Sequence, residues 1–245
     1  MRLSLLPSLL QVALTNINRG QKDVRIFEVS KRYGSQGERD TLAILLTGRK
    51  TNDWRLNKKD SVEFFDLKGA IESMFRSLKM EISFKPEGNK VFAGGTKADL
   101  YLNGKFIGGM GKIERSVLNN WDIKNQDVYF AGIDLEEIFA LPAKTTRFEP
   151  LAEFPAIVRD VSLAVKREVA YDAIEKICCQ NGGDILKFVQ FIEQYVGDKV
   201  PADQKALVFS LVYQSKTRTL REEEVNTTHQ RITNAFIQQL GAKLR

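Results

Sequence analysis

The chain has 245 residues, 43% of them hydrophobic and 28% charged, proportions that suit a globular core in one large or two medium domains. No apolar run approaches the roughly 18 residues a membrane span needs, and the N-terminus lacks the charged, apolar and small-residue succession of a secretion signal. The net charge is +6, but residues 151–245 hold 13 basic and 12 acidic side chains, which leaves +5 for residues 1–150; that balance permits a nucleic-acid partner without demanding one.

From Ser4 to Asn18 an apolar stripe of Leu5, Leu6, Leu9, Leu10, Ala13, Leu14 and Ile17 predicts a helix, with Ser4 as its cap, Pro7 in its first turn and Gly20 after its end. This helix begins almost at Met1, which reads as a chain cut inside a larger domain. Its leucines are therefore expected to lack partners and to leave an apolar patch exposed there or nearby.

Residues 24–30 and 41–47 read as strands around a Gly/Ser-rich turn at 34–37. Residues 49–60 are polar and basic, with Trp54 as their anchor. Asp60 and Glu63 stand at capping-box spacing before a helical stripe of Phe64, Leu67, Ile71, Phe75 and Leu78. Short strands cut by glycines fill residues 81–113, and Asn103-Gly104 suits the positive φ angles of a type I′ hairpin turn. A strand over 127–135, a short helix over 136–140 and a linker over 142–146 complete the first domain, 1–141.

The second domain, 148–245, is organised around residues 159–166, where Val161, Leu163 and Val165 alternate with Asp160, Ser162, Ala164 and Lys166. A helix over 170–181 follows, then strands over 187–196 and 205–214. Thr219 and Glu222 stand at capping-box spacing for a helix over 220–240, and residues 242–245 can add a last short strand. The order β-α-β-β-α-β is the ferredoxin-like arrangement. The fold class expected for the whole chain is thus α+β.

No self-contained active site is visible. Cys178 and Cys179 are helix neighbours that project from different faces, which argues against an internal disulfide; with His229 as the one histidine, a zinc set is short of ligands and the compartment reads as reducing. His229 lies on the apolar stripe of the last helix and is expected as a satisfied boundary histidine. Glu222, Glu223 and Glu224 complement a helix N-terminus. Gly108-Gly109-Met110-Gly111 lacks the Lys-Ser/Thr of a phosphate loop and reads as a strand with close backbone approach or a bulge. On the strand 205–214, Leu207, Phe209, Leu211 and Tyr213 form one face and Ala206, Val208, Ser210, Val212 and Gln214 the other. The second face suits the open side of an α/β sandwich, either simply solvated or receiving single-stranded RNA.

These residues resemble a known family. Phe148-x-Pro150, Phe154-Pro155, Arg159-Asp160-Val161-Ser162-Leu163, Tyr195-x-Gly197, Pro201, Gln214-Ser215 and Arg218-Thr219-Leu220 with Glu223-Glu224-Val225 resemble the ferredoxin-fold anticodon-binding domain of bacterial phenylalanyl-tRNA synthetase β subunits. Arg2-Leu3-Ser4-Leu5-Leu6-Pro7, Asn16-x-Asn18-Arg19, Arg25-Ile26-Phe27-Glu28-Val29, Gly48, Trp54 and Phe64-Phe65-Asp66-Leu67-Lys68-Gly69 resemble the synthetase-like domain before it. The chain departs from the family at Ile192-Glu193-Gln194, where Phe-Asp is usual, and at Ala206, where Ser is common.

The resemblance implies a class II synthetase-like antiparallel sheet with helices and no chemistry of its own, followed by an RNA-binding ferredoxin-like module. It implies a cytoplasmic heterotetramer in which the α subunit uses ATP and Mg²⁺ to join phenylalanine to tRNA(Phe), while this chain carries no cofactor, no catalytic residue and no metal ligand. Arg159, Ser162, Ser210, Gln214, Lys216 and Arg218 are the expected contacts to the tRNA(Phe) anticodon arm, since hydroxyls and an amide on the face with cations at its rim suit an unstacked loop. The alternative is a structural scaffold without RNA, in which both domains brace partner chains and the open sheet is a protein interface; for the single residues the plainer roles, compatible with RNA binding, are that Arg159 pairs with Asp160 to brace the start of the strand and that Arg218 merely precedes a helix cap.

Overall fold

In a computed structural model of the protein, residues 2–34, 37–51, 60–142, 153–197 and 200–245 are described. They belong to two compact units, Met1–Thr146 and Arg147–Arg245, each with a sheet of its own. Trp54 and most of the linker expected over 142–146 lie outside the described residues.

The first unit runs α1 (Leu6–Asn18), β1 (Val24–Gly34), β2 (Gly37–Thr47), α2 (Phe64–Ser77), β3 (Ile82–Lys85), β4 (Phe92–Leu102), β5 (Lys105–Ile113), α3 (Arg115–Asn120), β6 (Val128–Asp134) and α4 (Glu136–Phe139). Its strands form one antiparallel sheet in the order β1-β2-β6-β5-β4-β3. Alternation along β2 and β6 sends successive side chains to opposite faces, and both faces are used. Ala43, Leu45, Val128 and Phe130 meet α1 on one side, while Leu42, Leu46, Tyr129 and Ala131 meet α2 on the other.

The leucines of α1 correct one half of an expectation. Leu5, Leu6, Leu9 and Leu10 are all buried, because the sheet itself covers them; each such side chain stabilises by roughly 1.5–3 kcal/mol. Apolar exposure falls beside them instead, on Leu3 (76%) just before α1 and on Phe27 (74%) and Val29 (56%) of the edge strand β1.

The cap of α2 also differs from the reading. Residues 60–62 are held extended against residues 48–50, with Lys50 N–H donating to the Asp60 carbonyl at 2.7 Å and Val62 N–H to Gly48 at 2.9 Å. Asp60 therefore cannot begin the helix. Glu63 does, and its N–H donates to the Asp66 carboxylate at 2.6 Å.

The turn at Asn103-Gly104 has φ of 50° and 78°, as a type I′ hairpin requires. In β5 the glycines serve close backbone approach: a Cβ on Gly108 would lie 2.0 Å from the Gly132 carbonyl oxygen, and one on Gly111 would lie 2.8 Å from that of Thr96. The β4–β5 register slips beside Gly108.

The second unit runs β7 (Ile157–Lys166), α5 (Tyr171–Gly182), a 3₁₀ turn (Gly183–Ile185), β8 (Leu186–Tyr195), β9 (Gln204–Tyr213), α6 (Glu222–Leu240) and β10 (Lys243–Leu244). The sheet order is β10-β7-β9-β8, antiparallel throughout, which is the ferredoxin-like topology with β7 and β9 at the centre. Val161, Leu163, Val165, Leu207, Phe209, Leu211 and Tyr213 form a single core with α5 and α6. α6 ends at Gly241, whose φ of 61° is the left-handed conformation that stops a helix.

The second capping box is displaced as well. Leu220 is buried and Arg221 is extended, so the chain plugs the core before the helix can start. Thr219 and Glu222 make no box; the Arg221 N–H donates instead to Glu224 Oε2 at 3.1 Å.

Candidate nucleic-acid interface

Directly opposed residues of an antiparallel pair share a face, so the register defines the side of the second sheet that carries no helix. Across β7, β9 and β8 it reads Val158–Val212–Phe188, Asp160–Ser210–Gln190, Ser162–Val208–Glu193 and Ala164–Ala206–Tyr195. Lys166 and Gln204 close it at one end, and Lys243 of β10, opposite Ala164, adds a cation at the edge. Small residues on the central strands keep the middle of this face low.

Of the six expected contacts, the sheet brings Ser162 and Ser210 together on this face. The Ser210 hydroxyl donates to the Asp160 carboxylate, forming a polar pair at the centre. Gln214 lies one residue past β9, where its Nε2 donates to the Phe154 carbonyl at 2.7 Å and its N–H to Ile185 at 2.8 Å. It thus ties down the chain leading into β7. Lys216 is exposed in the following connection.

Arg159 is on the other side. It is opposite Leu211, on the helix-covered face, and its guanidinium meets Glu222 Oε1 at 3.2 Å. The bracing pair Arg159–Asp160 is therefore not formed, because neighbouring strand residues point apart: Arg159 braces α6 and Asp160 holds Ser210. Arg218 donates to both oxygens of Glu224 at 2.6 Å. That fork and the Arg221 N–H bring the Glu224 carboxyl down to about 2, so Arg218 supports the cap rather than merely preceding it.

Beneath the face, the Tyr213 hydroxyl and His229 Nδ1 lie 3.1 Å apart. Burial, then the Arg159 charge, hold His229 below its ordinary pKa, in keeping with a satisfied boundary histidine. Burial pushes the Cys178 thiol up to about 12. Among the described residues no three of His, Cys, Asp and Glu gather as metal ligands, and no helix is long and apolar enough to cross a membrane.

The face also carries groups that reading β9 alone does not find. Phe188 is 55% exposed and Tyr195 43%, both on β8, with Ile192 and Val196 exposed beside them. The register slips between Phe191 and Glu193, and this bulge keeps simple alternation from assigning both rings to one side. The Tyr195-x-Gly197 spacing was the available signal. A Cβ on Gly197 would lie 2.5 Å from the Tyr195 hydroxyl oxygen, so the glycine lets the ring lie over the turn.

A βαββαβ sandwich with one polar, aromatic-edged sheet face left open belongs to the class of ferredoxin-fold binding modules. The family model described as "Ferredoxin-fold anticodon binding domain" matches residues 152–245. Residues 1–135 match "Phenylalanyl tRNA synthetase beta chain CLM domain", and the chain belongs to the phenylalanyl-tRNA synthetase β-chain family. Its relatives include the phenylalanine–tRNA ligase β subunits of Geobacillus kaustophilus, 33% identical, and Clostridium tetani, 34% identical. Each alignment covers all of this chain and 31% or 30% of the relative; the chain spans about three tenths of the length of these proteins.

Proposed function

We propose that this chain is the tRNA-binding and subunit-assembly portion of a phenylalanine–tRNA ligase β subunit, acting in the cytoplasm as part of a heterotetramer. In this reading an α subunit, with ATP and Mg²⁺, attaches phenylalanine to tRNA(Phe). Residues 1–141 are a class II synthetase-like domain without catalytic residues, and 148–245 are the anticodon-binding domain. The observation that carries the proposal is the helix-free sheet face of a unit matched by an anticodon-binding family. Ser162 and Ser210 present hydroxyls there, and Lys216 is exposed past the end of β9.

The test is titration of the chain with the anticodon stem-loop of tRNA(Phe) over a range of salt. A net charge of only +1 on residues 151–245 predicts weak binding with a shallow salt slope, reflecting about 2–3 phosphate contacts. No binding at low salt overturns the proposal.

A second reading, a scaffold with no RNA contact, draws on two observations. Arg159, Gln214 and Arg218 are engaged within the protein, and Phe27 and Val29 are exposed on an edge strand. Co-sedimentation with purified α subunit, together with silence toward the stem-loop, favours that reading.

A further inference from the structure

We infer that the cavity at one end of the first sheet, walled by Arg49 and Arg115, is a binding site for a phosphate group, carried either by a free nucleotide or by an RNA backbone. It lies within the unit Met1–Thr146 and does not rest on the anticodon reading, which concerns the other unit.

The cavity has a volume of about 530 Å³ and lies where the chain enters β1, leaves β2 and enters β6. Val62 is the one apolar side chain among its lining residues, so an apolar ligand gains little there. Two arginines are held in place before any ligand arrives. Arg49 donates to Asp23 Oδ2 through Nε at 3.0 Å and Nη2 at 2.7 Å, and its N–H donates to Asp23 Oδ1 at 2.7 Å. Gly48 makes that seat possible: its φ of 90° is left-handed, and a Cβ there would lie 2.5 Å from Asp23 Oδ1. The Asp23 side chain is 10% exposed and that of Arg49 57%, so the fork buries the carboxylate and leaves the guanidinium accessible from the cavity. Arg115 is braced in the same manner. Its Nη2 donates to Asp127 Oδ1 at 2.7 Å and its Nη1 to the carbonyls of Lys124 and Gln126, each at 3.3 Å. Gln126 ties the wall together by donating to the Lys22 carbonyl and the Thr47 hydroxyl, each at 2.9 Å. Arginines already ordered lose little rotamer freedom on meeting an oxyanion, and their planar donors match its oxygens.

The carboxylates do not cancel the cations. Asp23 is committed to Arg49, whose hydrogen bond holds its carboxyl below the ordinary range against the opposing effect of burial. Asp127 is shared by Arg115 and Lys112, at 2.7 and 2.8 Å. Lys22 also lines the cavity, is exposed, and forms no ion pair among the described residues. The result is a cationic hollow rich in donors, in a part of the chain where residues 1–150 carry +5. Such a setting draws an anion and favours the oxygens of a phosphate.

The test follows the backbone amide resonances of the isotope-labelled intact chain during titration with AMP, adenosine and a single-stranded RNA hexamer. AMP should move the amides of Gly20, Gly48, Arg49 and Arg115, and adenosine should leave them in place. Lys22→Gln, at an exposed position, should weaken AMP about 2- to 5-fold. Arg49→Lys keeps the charge but loses the planar fork, and should weaken AMP about 10-fold or more. Movement of the same amides by the hexamer assigns the phosphate to an RNA backbone; movement by AMP alone assigns it to a free nucleotide. No movement with either AMP or the hexamer overturns the site, as does equal movement by adenosine. Wild-type affinity for AMP in both variants overturns it too, and if Arg49→Lys does not fold, Lys22→Gln decides alone. The anticodon reading stands or falls separately, on stem-loop titration of the other unit's open face.

Discussion

The two sheets differ in what covers them. In the first unit, α1 closes one face and α2 the other, so the inward residues of β2 and β6 are committed to two separate cores. In the second, α5 and α6 share one side, and among the described residues of this unit no helix covers the other. Alternation thus carries different information in the two places. A residue of β2 is placed in one core or the other; a residue of β7 or β9 is placed either in the core or on the face that no helix of its unit covers.

That contrast predicts unequal costs for truncating apolar side chains. Leu45 is fully buried against α1, whereas Val158 is 51% exposed on the open face. Leu45→Ala should cost about 2–5 kcal/mol in urea unfolding, through lost burial and a residual cavity. Val158→Ala should stay within about 0.5–1 kcal/mol. Equal costs would mean that something shields the second face as fully as α1 shields the first.

Gln214→Ala probes the border of the open face. Its amide donates to Phe154 at 2.7 Å, so the loss should be about 1 kcal/mol, well below that at Leu45. If Gln214 also reads a base, the variant should lose preference for the cognate loop more than it loses stability. Parallel denaturation and stem-loop titration separate the two, and unchanged stability would show that the bond to Phe154 does not anchor the chain leading into β7.

Much of this architecture was legible because pattern and packing agree. The stripe on α6, the βαββαβ order and the Asn103-Gly104 turn follow from local chemistry that the fold then uses. What was not legible depends on partners distant in sequence. The β1–β2 hairpin extends to Gly34 and Gly37, past the apolar runs at 24–30 and 41–47. Its polar end is tied down by Lys31–Glu38 at 2.7 Å and by Arg32 and Arg39, which both pair with Asp134. Burial tends to raise the Asp134 carboxyl, but hydrogen bonds from Arg39 and Arg32 outweigh it and hold it below the ordinary range. Composition near a turn does not reveal a carboxylate that far along the chain. Arg159 was legible as a cation in β7, and alternation already puts it on the side of Val161, Leu163 and Val165; what was not legible is its partner, Glu222, far along the chain. The capping boxes moved for a similar reason: residues 60–62 and Leu220 are claimed first by tertiary contacts.

The smallest effect expected is at the rim, where Glu224 joins the Arg218 fork to the Arg221 N–H. Its carboxyl lies at about 2, below the ordinary 4.5. A group whose folded pKa is depressed contributes stability that is present above the unfolded value and is lost as pH falls through the folded one. The contribution should therefore be whole above about pH 4.5 and should fade toward pH 2. Wild type and Glu224→Gln should differ in melting temperature at pH 6 and converge as pH falls through that window. Because the pair lies at the surface, added salt should also shrink the difference. A gap that persists unchanged at pH 2 would show that Glu224 acts through packing or helix propensity rather than charge. Arg218 would then be free of its structural duty and available to phosphate, and the rim of the open sheet would gain a cation.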